Sequence, residues 1–284
     1  MWSMRSLQEA SRRARAEDGK AVTEADEGPV GDEDFNGAVL RNIYEVFLEP
    51  EVAARGGREV VGPIRKGVVL LEPGAGVRVL LNDEAEVVAI VRATRAIAAG
   101  EEIREADFDL VQDLRPETVP EDAGWVALAV LPSGHQIVAF DFRRNRGKGR
   151  ALLALAEDYL VSAQEAAYAG RSGPCLDLAH TCAELAVTAM MYLTDDEPLG
   201  SARSRHSRRL GWLRDFTRLG NAPVALHRAM SRLADVRLAA RYGDPPLFLR
   251  GDEPDALLDA VAELVTHAQE RVGPPHAPDP SPQR

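Results

Sequence analysis

Cysteine is nearly missing from this chain. Its 284 residues include 2 cysteines, Cys175 and Cys182. Both fall in one apparent helix, two turns apart, too far for a disulfide within it. No Cys/His cluster has zinc-ligand spacing, so the sequence points to no metal and no cofactor. Thiols without a partner suit a reducing compartment, and the reading is a cytoplasmic protein. Long hydrophobic runs are missing too. No window approaches ~18 consecutive apolar residues, which argues against a membrane-spanning helix and a membrane partner. The opening MWSMRSLQEASRRARAEDGK has charges but no apolar stretch after them, unlike a secretory signal. Lysine is scarce: Lys20, Lys66 and Lys148 are the 3 lysines among 34 basic residues. GC-rich coding produces such Arg and Ala richness, so arginine number alone is no sign of nucleic-acid binding.

The net charge of −11 is unevenly spread. Residues 143–250 hold 17 Lys/Arg and 11 Asp/Glu, a net of +6, and the remainder holds 17 and 34, a net of −17. A basic segment inside an acidic chain permits an anionic partner.

The pattern predicts an α+β protein. Residues 1–36 are charged and poor in large apolar groups, which leaves them disordered or partly helical, with a short helix over 3–17. Residues 37–146 carry short β-branched runs (GVVLLEP, VRVLLND, EVVAIVRATR, WVALAVLPSG, QIVAFDFRR) punctuated by turn residues, the mark of a small, mostly antiparallel β domain. LRNIYEVFLEPEVAARGG before them reads as a helix or a strand–helix pair, and EADFDLVQDL as a short helix. From residue 147 to 272 the period becomes helical. Helices are expected at about 148–169, 175–193, 201–219, 222–242 and 254–272, with Pro223 in a first turn and Gly170 and Gly243 after last turns. Short connections make them a four- or five-helix up-and-down bundle. The Pro-rich 273–284 reads as a disordered tail.

The second expected helix, CLDLAHTCAELAVTAMMYL, is apolar on most sides. Asp177, His180, Thr181, Glu184 and Thr188 nevertheless gather on one side, a stripe with no Lys or Arg. In the fourth helix Arg228 and Arg232 point away from the apolar arc, but Arg237 falls inside it and Arg241 at its edge. A buried arginine needs a partner. The expectation is an inter-helix network of Asp177 or Glu184 with Arg237 or Arg241, with His180 and Thr181 nearby. It either locks helix register or walls a ligand cleft. Two basic clusters are further candidates. FDFRRNRGKGR places Arg143, Arg144, Arg146, Lys148 and Arg150 at the junction of the two halves, as a phosphate-binding segment or as a plain linker into a helix. SARSRHSRRLGWLRDF places Arg203, Arg205, His206, Arg208 and Arg209 on two helical turns. There His206 is either a general base or a packed histidine near the buried edge.

The run ALAEDYLVSAQEAAYAG, LDLAHTCAELAVTAMMYL, RHSRRLGWL and LAARYGD resembles the HEPN superfamily. The matching features are Glu184, His206 opening the third helix and Arg241-Tyr242 closing the fourth. The resemblance implies a four- or five-helix bundle that homodimerises, with RNA or nucleotide binding in bacterial stress or phage defence. The family's ribonucleases carry an arginine a few residues before a histidine. Here Arg203 precedes His206 by only two intervening residues, while Arg171 precedes His180, and Arg218 precedes His227, by eight. No pair has the required spacing, so a non-catalytic binding module fits better, with Arg143, Arg144, Arg146, Arg205 and Arg209 as ligand contacts. The alternatives are a degenerate metal-independent ribonuclease using His206 and Arg203, and a bundle that serves only for dimerisation. In the β-rich half, ATRAIAAGEEIREADFDLV loosely resembles the SAF-type β-clip pattern and reads equally as an ordinary hairpin.

Overall fold

The computed structural model describes residues 32–200, 205–243 and 246–274, with side chains from residue 37 onward. The expected helix over 3–17, most of the Pro-rich tail and Arg203 lie outside the described residues. The fold is α+β, an antiparallel β region followed by a helical region. The chain separates into two compact units between Phe142 and Arg143. The change of period in the sequence comes a few residues later, but Arg143 to Asn145 are already tied into the helical unit, as described below.

The first unit begins with α1 (Asp32–Ile43), which runs through a π-helical turn (Tyr44–Leu48) into α2 (Glu49–Ala54), followed by the single turn α3 (Arg58–Val61). The stretch read as a helix or a strand–helix pair is thus helical. Four strands then form one antiparallel sheet in the order β2-β1-β5-β6: β1 (Lys66–Glu72), β2 (Gly76–Leu81), β5 (Gly124–Val130) and β6 (Gln136–Asp141). Alternation puts Val69, Val79, Val126 and Leu128 on one face, packed with Ile43, Leu48 and Val52 of the helical segment. Val68 and Leu70 face the other way, onto Ala85. Gly67 lies against the π-helical turn, where a Cβ would stand in ordinary contact, 3.4 Å from Leu48 Cδ2.

The remaining strands, β3 (Val87–Ala93) and β4 (Phe108–Pro116), pair only with each other, with register shifts after Ile90 and Arg92. This corrects the helix expected for EADFDLVQDL: only Glu105–Asp107 makes a single 3-10 turn, and Phe108 onward is strand. Cross-strand pairing outweighs the acidic residues' turn preference. Arg92 donates to both Asp109 carboxylate oxygens at 2.8 and 2.9 Å, and Arg95 holds Asp107 at 2.7 Å across the same hairpin.

The helical unit contains α4 (Arg146–Tyr168), α5 (Ser172–Tyr192), α6 (Arg205–Arg218), α7 (Val224–Tyr242) and α8 (Glu253–Val272). Helix α5 is the hub, packing against each of the other four. That explains its composition: Leu176, Ala179, Ala183, Ala186, Val187 and Met190 are all within 2% of complete burial and look in several directions. Small residues let neighbours come close. A Cβ on Gly173 would meet the Ala240 carbonyl oxygen at 2.8 Å, and one on Gly149 would meet Val272 Cγ2 at 3.1 Å. Among the described residues no helix is long and apolar enough to cross a membrane.

Candidate functional site

The polar stripe of α5 meets α6 and α7 at a single cluster. Its floor is buried: His180 is 2% exposed and Glu184 9%. Glu184 accepts from two groups on α6. His206 Nδ1 makes a short hydrogen bond to its Oε1, and Arg209 Nη1 lies 3.3 Å from the same oxygen. Arg209 Nε also donates to Thr188 Oγ1 at 2.8 Å. The Thr188 hydroxyl in turn donates to the Glu184 carbonyl at 2.6 Å, closing a loop of contacts one turn along α5.

Across the imidazole, Arg237 of α7 donates from Nη1 to His206 Nε2 at 2.9 Å. Because a guanidinium only donates, Nε2 is the acceptor and Nδ1 carries the proton given to Glu184, a tautomer assigned from these contacts. His206 is thus held at both nitrogens while its side chain stays 54% exposed. The spacing that makes this possible is simple. His206 and Arg209 are i, i+3 on α6, and Glu184 and Thr188 are i, i+4 on α5.

His180 lies beneath His206, with ring centroids 5.9 Å apart. Its Nδ1 is 3.9 Å from Glu184 Oε2, beyond hydrogen-bond reach, and has no hydrogen-bond partner. Burial dominates its titration and pushes its pKa below the usual histidine value. Glu184 pulls the other way, and Arg237 and His206 reinforce the drop. Two more buried polar atoms on these helices lack hydrogen-bond partners: Asp177 Oδ1 and Arg237 Nε. One ligand atom from each of His180, Glu184 and His206 lies within 4.8 Å of the others. His180 and Glu184 show the i, i+4 spacing of one helix face, but His206 comes from another helix, and no spacing in the sequence marks it as the third member.

The expected network forms in part, at its Asp177–Arg241 pair, while Glu184 has other partners. Arg241 pairs with Asp177 at 3.5 Å, but Glu184 takes Arg209 and His206, and reaches Arg237 only through the imidazole. Thr181 stays local, donating to the Asp177 carbonyl at 3.0 Å. Arg209, read as a ligand contact, has a side chain only 14% exposed and is committed to Glu184 and Thr188. Arg205 is exposed at the start of α6. The junction arginines serve the interior of the helical unit. Arg143 donates to the Arg271 carbonyl at 2.9 Å, Arg144 to the Thr194 carbonyl at 3.1 Å, and Arg146 is 4% exposed. Asn145, in the left-handed region at φ 52°, donates to the Tyr192 carbonyl and to Asp196.

Compared with known proteins, no family model matches the chain and no curated protein sequence matches it.

Proposed function

We propose that the helical unit is a HEPN-like module that binds RNA or a nucleotide at the His206–Arg237 end of this cluster, in the setting of bacterial stress or defence. One observation carries the reading. An exposed imidazole is fixed by a buried carboxylate on one nitrogen and stands 2.9 Å from a guanidinium on the other. A phosphate oxygen that takes the Arg237 N–H from His206 Nε2 meets a cationic edge, with exposed Arg205 and Arg208 on the same turns of α6. The cluster is not closed on itself, since Arg237 Nε and Asp177 Oδ1 have no hydrogen-bond partners. A network serving only to lock helix register would satisfy them.

Binding of a short single-stranded RNA and of ATP, titrated against salt, tests this. Log K should fall with log salt, with a shallower slope in Arg237→Ala, by about one phosphate contact. A flat salt plot, or binding equal in Arg237→Ala and His206→Ala, sinks it.

The same observation supports a second reading as a ribonuclease. Arg237 supplies from α7 the arginine that the spacing around His206 lacks, so an acid/base histidine and a charge-stabilising arginine come together without the usual motif. RNA cleavage that survives His206→Ala unchanged removes that reading. Homodimerisation through the bundle belongs to the same proposal, and sedimentation velocity tests it.

A further inference from the structure

The geometry points to a divalent-cation site of the zinc class formed by His180, Glu184 and His206. It goes beyond the nucleic-acid reading and does not depend on it. The donors are two imidazoles and one carboxylate, a set that suits Zn²⁺ with three protein ligands and an open fourth position. Their ligand atoms lie within 4.8 Å of one another. The His180 Nδ1 to Glu184 Oε2 gap is 3.9 Å. Bonds of about 2.0–2.2 Å to a tetrahedral ion need donors roughly 3.3–3.6 Å apart, so small side-chain rotations close it.

An independent observation points into the same space. His180 is 2% exposed, yet its Nδ1 has no hydrogen-bond partner. A buried ring nitrogen left unpaired next to a carboxylate is a costly arrangement for a purely structural histidine. A bound cation would satisfy it. The supporting contacts are also in place. Arg209 and Thr188 hold the Glu184 side of the cluster through bonds that ligation by Oε2 leaves intact.

Arg237 opposes the ion. Ligation by His206 Nδ1 displaces the proton now donated to Glu184, and the neutral imidazole that ligates carries its proton on Nε2 instead. On Nε2 it faces the Arg237 N–H that donates there at 2.9 Å, two donors head to head. The guanidinium must leave for the metal-bound state to form. Arg237 is therefore the element that sets affinity, by occupying His206 in the metal-free state and by its positive charge.

The test is calorimetric titration of the tag-free full chain with Zn²⁺ alone, in the absence of RNA or nucleotide, with Co²⁺ absorption as a report of geometry. One ion per chain is expected, with a tetrahedral Co²⁺ spectrum. His206→Ala, an exposed change that spares the fold, should weaken binding by more than the roughly 10–100-fold that loss of a supporting contact costs. Glu184→Gln and His180→Asn should do the same, and Arg237→Gln should tighten binding. No binding at one ion per chain, binding unchanged in His206→Ala and Glu184→Gln, a thiolate charge-transfer band with Co²⁺, or weaker binding in Arg237→Gln would each overturn the site. RNA and nucleotide affinities measured in chelator are separate, so failure here leaves the nucleic-acid reading standing.

Discussion

Glu184 and Arg209 form a buried pair between α5 and α6, with Nη1 to Oε1 at 3.3 Å and side-chain exposures of 11% and 14%. Neither residue is replaceable by an uncharged one without stranding the other. A lone charge at that depth is costly, whereas a matched apolar pair is often neutral. Glu184→Leu should cost about 3–5 kcal/mol, Glu184→Gln about 1–3 kcal/mol. The double variant Glu184→Leu/Arg209→Met should recover a large part of the loss. Urea denaturation of the wild type, Glu184→Leu, Arg209→Met and the double variant measures this. Additive losses would show that the two side chains do not sustain each other.

His180 makes stability depend on pH in a defined direction. Its pKa lies below the ordinary 6.5, first because burial disfavours the charged ring, while Glu184 partly offsets that and Arg237 and His206 add to it. In the unfolded chain the ring takes a proton near 6.5, but in the folded protein it does so only at lower pH. The unfolded state therefore holds more protons between the two values, and stability rises with pH across that window. It is fully present above about pH 7 and falls as pH drops below the unfolded value, at up to about 1.4 kcal/mol per unit. Below the folded value it levels off. Urea midpoints from pH 5 to 8 should slope upward, and His180→Gln should flatten part of that slope. An equal slope in the variant would assign the effect elsewhere.

Both thiols should be silent in the folded protein. Cys175 and Cys182 have no exposed surface, and burial pushes the Cys182 thiol up to about 12. Cys175 is raised by burial and then by Asp255. The thiolate is the reactive form, so a disulfide-exchange reagent at about pH 8 should label neither until denaturant is added, and then both. Rapid labelling under native conditions would mean that α5 opens locally.

Sequence periodicity located the five helices of the second unit well. The expected 148–169 is Arg146–Tyr168, 222–242 is Val224–Tyr242 and 254–272 is Glu253–Val272. Proline and glycine at the ends carry that signal: Pro223 precedes α7, and Gly243 and Gly273 end α7 and α8 at φ 69° and 73°. The strand Phe108–Pro116 was illegible because its acids suggest a helix start, and only its partner β3 shows why it extends. The stripe on α5 and the inward arginines of α7 were visible as anomalies of each helix alone. Their partners were not. Which of Arg209, Arg237 and Arg241 meets Glu184 depends on the depth at which α6 packs, and Arg209's bond to Thr188 settles it. His206 read as lying near the buried edge, whereas its side chain is more than half exposed.

The contact between α5 and α7 relies on a missing side chain. At Gly173, in the first turn of α5, an added Cβ would stand 2.8 Å from the Ala240 carbonyl oxygen. On an exposed helix, Gly→Ala stabilises by about 1 kcal/mol through backbone entropy. Here the methyl meets backbone, which cannot rotate away, so α7 must shift near its C-terminal end. Overpacking of this kind costs about 1–3 kcal/mol, enough to reverse the sign. Arg237 and Arg241 lie on that same end of α7, so the shift also moves Arg237 relative to His206. Gly173→Ala should therefore lower the urea midpoint and weaken RNA or nucleotide binding together. Gly211, where a Cβ meets nothing within 4 Å, is the control, and Gly211→Ala should raise the midpoint. If Gly173→Ala stabilised the protein as Gly211→Ala does, the close approach of α5 to α7 would not exist.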